Sequence, residues 1–98
     1  MAVQPEPKTD FVPAEEFIVD DFDTLKVLAD PLRIRILDLM RDPCTVKQVA
    51  VELDIPPTKL YYHINQLEKH GLIVLVETRI VSGIIEKHYQ TAAYTVRV

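Results

Sequence analysis

Cysteine is almost absent from this sequence: Cys44 is the single thiol in 98 residues. One thiol excludes an internal disulfide and any zinc site built on thiolate pairs, and it fits a reducing compartment. Glycine is nearly as scarce. With only Gly71 and Gly83, the chain has no Gly-rich phosphate loop and is not a flexible or collagen-like polymer. It also has no serine-nucleophile elbow, and nothing places a histidine and an orienting group beside Cys44. No enzyme is expected. The three histidines are His63, His70 and His88. The first two lie seven apart on a helix, about 10 Å along its axis, too far for one metal ion to bind both directly. No metal or other cofactor is expected, and His63 reads as a half-buried residue bonded to the backbone of a later strand. No apolar run approaches the roughly 18–20 residues that span a bilayer. A basic-then-apolar signal pattern is missing as well, so the expected location is cytoplasmic, with no membrane partner.

What remains is one small domain whose 48% hydrophobic share supports a single core with little to spare. Its net charge of −4 is unevenly placed. Residues 1–25 hold one base, Lys8, against seven acids, a net −6; residues 26–98 hold ten bases against eight acids, a net +2. The start of the chain has three prolines within thirteen residues and no apolar periodicity. It is expected to be a disordered acidic leader over 1–15, with a folded domain over 16–98 and a short strand at 16–19.

Helix signals begin at 23–28 and 31–41. Asp30-Pro31 is a good start for the second helix, with Asp at the N-cap and Pro at the first helical position. Leu32, Ile36, Leu39 and Met40 recur at helical spacing, and Ile34 and Leu37 widen that apolar stripe. Asp42-Pro43 stops it. Thr45 followed three residues later by Gln48 reads as a capping box, opening a helix that ends near Leu53. Pro57 then suits the first position of a helix over 57–70, with Leu60, Ile64 and Leu67 as its buried stripe and Gly71 as its C-terminal cap. Beyond Gly71 the composition turns to Val, Ile, Thr and Tyr. Residues 72–78 and 84–94 read as strands joined across Val81-Ser82-Gly83. Four helices followed by a hairpin make a mainly α fold with a small β-hairpin (α+β), a winged helix-turn-helix.

With Leu60, Ile64 and Leu67 in the core, helix 57–70 leaves Thr58, Lys59, Tyr62, Gln66 and Lys69 facing outward, with Tyr61 at the boundary. In this motif the N-terminal end of that helix enters the major groove of double-stranded DNA. Lys59 suits guanine O6/N7 or a phosphate, Thr58 a phosphate or a base edge, and Gln66 an adenine. Tyr62 suits a phosphate or a thymine methyl. Arg79 and Lys87 flank the hairpin tip, where phosphate or minor-groove contacts are expected. The same face also fits a solvated helix surface, and the capped helix before it and the hairpin after it favour DNA.

Two stretches resemble ArsR-like winged-helix regulators: Leu28-Ala29-Asp30-Pro31-Leu32-Arg33-Ile34-Arg35-Ile36-Leu37, and residues 55–73, which end in Leu67-Glu68-Lys69-His70-Gly71-Leu72-Ile73. Gly83-Ile84-Ile85-Glu86-Lys87-His88-Tyr89 is similar to the second wing strand of one subgroup. The resemblance implies a dimeric repressor that binds operator DNA and releases it on a signal. It also places Thr58, Lys59, Tyr61 and Tyr62 at base- and phosphate-contacting positions, and Arg33 at a phosphate contact or an internal ion pair. Three features depart from the family. Pro56 stands where a Ser N-cap is usual, the Cys-x-Cys metal motif is missing, and no C-terminal dimerisation helix follows the hairpin. No small-molecule or metal effector is evident. Residues 17–19 and 91–98 are expected to add strands, within the chain or across a dimer that the leader helps to form. A rival reading from another class is a winged helix that binds proteins, favoured by the acidic leader, the low net basicity and the uncharged wing tip. Such a module would present an apolar patch.

Overall fold

The computed structural model describes residues 10–98; the first nine, and with them most of the expected acidic leader, lie outside the described residues. The elements run β1 (Ala14–Ile18), α1 (Phe22–Leu28), α2 (Pro31–Leu39), α3 (Val46–Leu53), a 3-10 turn (Pro57–Lys59), α4 (Tyr61–Lys69), β2 (Ile73–Val81), β3 (Ile84–Thr91) and β4 (Ala93–Arg97). Ala14 and Glu15 thus belong to a strand and not to the leader.

Local chemistry fixes most helix ends. Asp21 caps α1 by accepting from the Thr24 amide at 2.9 Å, and that hydrogen bond holds the Asp21 carboxyl below its ordinary pKa. Asp30 caps α2 by accepting from the Leu32 amide. The capping box on α3 is complete: Gln48 N–H donates to Thr45 Oγ1 at 3.1 Å, and Thr45 N–H donates to Gln48 Oε1 at 2.8 Å. Gly71, at φ +72, closes α4 in a Schellman arrangement, with Leu72 N–H donating to the Leu67 carbonyl and Gly71 N–H to that of Glu68. Asp54 takes the left-handed position after α3 at φ 54, a conformation its short polar side chain tolerates.

The expected continuous helix 57–70 is corrected. Pro56 offers no side-chain acceptor, and its position before Pro57 holds it extended at φ −58 and ψ 138. The chain therefore enters through the 3-10 turn, with Lys59 N–H bonded to the Pro56 carbonyl and Leu60 N–H to that of Pro57. The α-helical ladder starts only at Tyr61.

One core holds the helices and the wing together. Ile36 and Met40 of α2, Val49 of α3, Leu60, Ile64 and Leu67 around α4, and Leu72 and Ile73 entering β2 are all buried. Ile34 does not join them; it lies exposed on the outer side of α2, so the apolar stripe there is narrower than expected.

The wing is antiparallel, with Val81 opposite Ile84 and Ile73 opposite Thr91, and a bulge between Leu75 and Glu77. Ser82 and Gly83 both have positive φ (52 and 77), the signature of a type I′ turn whose twist suits a hairpin. Cys44, expected in a plain loop, forms a one-residue bridge to the other edge of β3. Its amide and carbonyl pair with those of Tyr89 at 2.9 and 2.8 Å. β1 pairs parallel with β4, Ala14 opposite Ala93 and Ile18 opposite Arg97. The pairing foreseen for 17–19 and 91–98 is thus made within the chain.

Candidate nucleic-acid interface

The helical face expected to be outward is outward. Thr58 and Lys59 are exposed on the 3-10 turn, Tyr61 and Tyr62 on the first turn of α4, and Lys69 on its last; Gln66 is half-buried. Because the 3-10 turn precedes α4, Thr58 and Lys59 project from a tighter coil than the tyrosines. Leu60, fully buried between them, pins both pieces to the core.

The two tyrosines diverge. Tyr62 is held from the side of α2, with the Arg33 guanidinium 5.7 Å from its ring centroid and the His63 ring edge-on at 6.0 Å. Arg33 is itself anchored. Its Nε donates to His63 Nδ1 at 3.0 Å, and Nη1 donates to the Val27 carbonyl at 3.2 Å. His63 Nδ1 also lies 3.9 Å from Asp30 Oδ2. His63 is therefore held by α2 and not by wing backbone, and its Nδ1 must be unprotonated to accept from Arg33. Arg33 sits behind the exposed face as a support for Tyr62.

Tyr61 turns toward the wing. It lines a cleft of about 550 Å³ together with Lys47, Asn65, Val81, Ile84 and Lys87. Lys47 and Asn65 escaped the reading of the sequence. Asn65 carried a signal, lying four residues after Tyr61 on the same helical face; Lys47 carried none, because only the fold brings α3 beside the wing.

Lys87 is exposed and opposite Thr78, whereas Arg79 is opposite Glu86 on the neighbouring rung. Lys87 lines the cleft, and so does Glu86, the residue opposite Arg79, whereas Arg79 itself does not. Arg79 is bonded to Glu77 at 3.1 Å.

Among the described residues no cluster of three or more His, Cys, Asp or Glu is placed to hold a metal ion. His70 Nδ1 donates to the Gln66 carbonyl at 2.9 Å, and His88 Nε2 lies 3.3 Å from Glu86 Oε1. Burial raises the Tyr89 phenol above its ordinary pKa, with the charges of Glu68 and Tyr61 adding to it. The Cys44 thiol points at the Leu39 carbonyl at 3.7 Å. Burial, reinforced by the Asp42 charge, pushes it up from 9.0 to about 11. The reactive thiolate near pH 8 is then about a hundredfold scarcer than in an unshifted cysteine. Cys44 should react with a disulfide reagent at pH 8 correspondingly slowly when folded and at the ordinary rate in urea; equal rates would contradict its burial. The raised folded pKa stabilises the fold fully below pH 9.0, and this contribution is lost as pH rises toward 11.

A model of the family described as "Helix-turn-helix domain" matches residues 28–76, half of the chain. No curated protein matches it. Among solved structures, the chain is similar to the homodimeric winged helix-turn-helix DNA-binding domain (fragment 1-100) of Mb0332 from Mycobacterium bovis, a possible ArsR-family transcriptional regulator. The identity is 25%, over 72% of this chain and 62% of that one, with a TM-score of 0.58. This chain thus spans less than two thirds of the Mycobacterium bovis chain. The transcriptional regulator HlyU from Vibrio vulnificus shares the fold at 22% identity, over 74% of this chain and 71% of that one, with a TM-score of 0.58. So does NolR from Sinorhizobium fredii, at 23% identity over 74% and 68%, also with a TM-score of 0.58. The capped α3, the turn into α4 and the hairpin that follows are the parts of one winged architecture, shared with these solved structures, and the chain belongs to the helix-turn-helix domain family.

Proposed function

We propose that this chain is a sequence-specific binder of double-stranded DNA that acts as a homodimeric transcriptional repressor, without enzymatic activity. The observation that carries the reading is the exposed run Thr58, Lys59, Tyr61 and Tyr62, held rigidly by buried Leu60 and by Arg33. It is a compact set of hydrogen-bonding, cationic and aromatic groups on a helix that inserts into the major groove in this architecture. Gln66 and Lys69 extend the contact along the groove, while Lys87 and Lys47 meet the flanking backbone. Arg79 reaches phosphate only by leaving Glu77. The modest net charge of +2 over residues 26–98 makes nonspecific affinity weak, so contacts at the helix start carry the discrimination.

Dimerisation is supported by the homodimeric state of the Mycobacterium bovis domain. The chain itself offers exposed Phe22, Leu25, Ile18 and Val98, apolar groups clustered near the β1–β4 pair and α1. Selection from random duplexes with purified protein tests the whole reading. The expected result is a two-fold symmetric site with half-sites about one helical turn, or a multiple, apart. Recovery of no preferred sequence would refute it. The protein-interaction reading keeps one supporting observation, the apolar wing tip.

A further inference from the structure

Side chains from three segments meet behind the exposed face of α4, and the hydrogen bonds among them admit one protonation state. Arg33 on α2 is a donor at every pH, so its 3.0 Å bond to His63 Nδ1 exists only while that nitrogen carries no proton. Asp30, in the turn between α1 and α2, accepts from the Leu32 amide with Oδ1, and its Oδ2 stands 3.9 Å from the same imidazole nitrogen. Among the described residues Asp30 is the one carboxylate within ion-pair distance of His63. From its own side of the fold His63 has Tyr62 beside it and Lys59 four residues earlier on the 3-10 turn, while α1 contributes the Val27 carbonyl, which accepts from Arg33. The imidazole is 19% exposed, so solvent protons reach it. Tyr62, the ring that this group supports, is 65% exposed, with the Arg33 guanidinium 5.7 Å from its centroid.

We propose that His63 is a positioning residue for recognition: its neutral imidazole holds Arg33, and through it Tyr62, and a proton taken up at Nδ1 releases both. This rests on the DNA-binding reading above and deepens it, because it names what sets the Tyr62 contact and what unsets it. Histidine changes charge between about pH 8 and pH 5. A proton from solvent on Nδ1 removes the acceptor for Arg33 Nε–H and sets two cations against each other. The new Nδ1–H then has Asp30 Oδ2 to donate to, on the opposite side from Arg33. Arg33 keeps the Val27 carbonyl as its other partner. Tyr62 loses the cation beside its ring, and with nothing else buried around it the side chain becomes free to change rotamer. A tyrosine that samples several rotamers contributes less to discrimination between bases than one held in place. Acidification should therefore lower sequence preference rather than abolish attraction to phosphate, since the face gains positive charge.

The test follows the free chain by NMR from about pH 8 to about pH 5. At the upper end the His63 ring is expected as the tautomer with Nδ1 bare, and the Tyr62 ring resonances should move as His63 takes up its proton. His63→Gln supplies a side-chain oxygen that accepts from Arg33 and does not titrate, so Tyr62 should then ignore pH although His70 and His88 remain. Asp30→Asn keeps a good α2 cap but removes the carboxylate, and should push the Tyr62 transition to lower pH. With DNA, the ratio of affinities for the selected and a scrambled duplex is read by anisotropy, which cancels the general gain in phosphate attraction. In wild type that ratio should fall about fivefold or more over the same range, the scale of one lost base-pair contact, and in His63→Gln it should stay level. A proton on Nδ1 at the upper end, a His63 that takes up none in this range, a Tyr62 ring that ignores the titration, or an equal response in His63→Gln overturns the proposal while the DNA reading stands. Binding of no duplex at any pH overturns the DNA reading, and the Tyr62 shifts of the free chain then decide the coupling alone.

Discussion

Leu60→Ala is expected to destabilise this domain by about 2–5 kcal/mol, the range for emptying a fully buried leucine site. Leu60 has no exposed surface, and it sits at the junction of the 3-10 turn and α4. The surrounding backbone has little room to collapse into the space. Ile64 N–H is bonded to the Leu60 carbonyl, and two prolines fix the approach from the other side. Against a total stability of roughly 5–15 kcal/mol for a small domain, the loss is large. Thermal unfolding monitored by circular dichroism should show a midpoint lower by on the order of 10–30 °C. Leu60→Met, which nearly conserves volume, should cost less than about 1.5 kcal/mol. A midpoint unchanged by the alanine substitution would mean that Leu60 does not anchor the recognition element.

The second large effect concerns affinity. Lys59→Ala should weaken binding to the selected duplex by about tenfold or more, the scale of one specific base contact. It should also make the dependence of log affinity on log salt shallower by about one, because one fewer cation displaces counterions. Lys59 has this leverage because it projects from the rigid 3-10 turn and has no carboxylate partner among the described residues, unlike Arg79, which is tied to Glu77. Lys59→Arg keeps the charge and should preserve the salt slope while altering the preferred bases, since the two cations present different geometry. Fluorescence anisotropy titrations from low to moderate salt measure both quantities. An unchanged affinity and slope for the alanine variant would remove Lys59 from the interface.

The difference between these variants follows how much of the molecule its sequence states. Short-range chemistry was legible. Asp30-Pro31, the Thr45 to Gln48 box and Gly71 declare their helix ends within four residues, and the structure places each cap there. The spacing of Leu60, Ile64 and Leu67 marked the inner face of α4 because only one helical face can be buried. What depends on distant partners was not legible. The parallel pairing of β1 with β4 joins residues about 80 positions apart and has no turn to signal it. The Cys44 bridge to Tyr89 is one residue long, too short for any periodicity. The 3-10 entry into α4 went unread because Pro57 alone suits an α-helix start, while Pro56 before it removes the cap. Arg33 was expected as a phosphate contact or an ion pair. The structure shows it bonded to His63 with its guanidinium 5.7 Å from the Tyr62 ring centroid, an arrangement that only the crossing of α2 and α4 creates.

The exposed face of the 3-10 turn and α4 is the centre of this account, and it can be tested without substituting any residue. Titrating the selected duplex into the isotope-labelled chain and following backbone amide shifts by NMR reports which surface the DNA meets. Shifts are expected to concentrate on Thr58, Lys59, Tyr61, Tyr62, Gln66 and Lys69, with a second group from Arg79 to Lys87 on the wing. Amides of β1 and of α1 away from Arg33 should stay where they are. Shifts confined to β1, α1 and β4, or no shifts at saturating duplex, would contradict it.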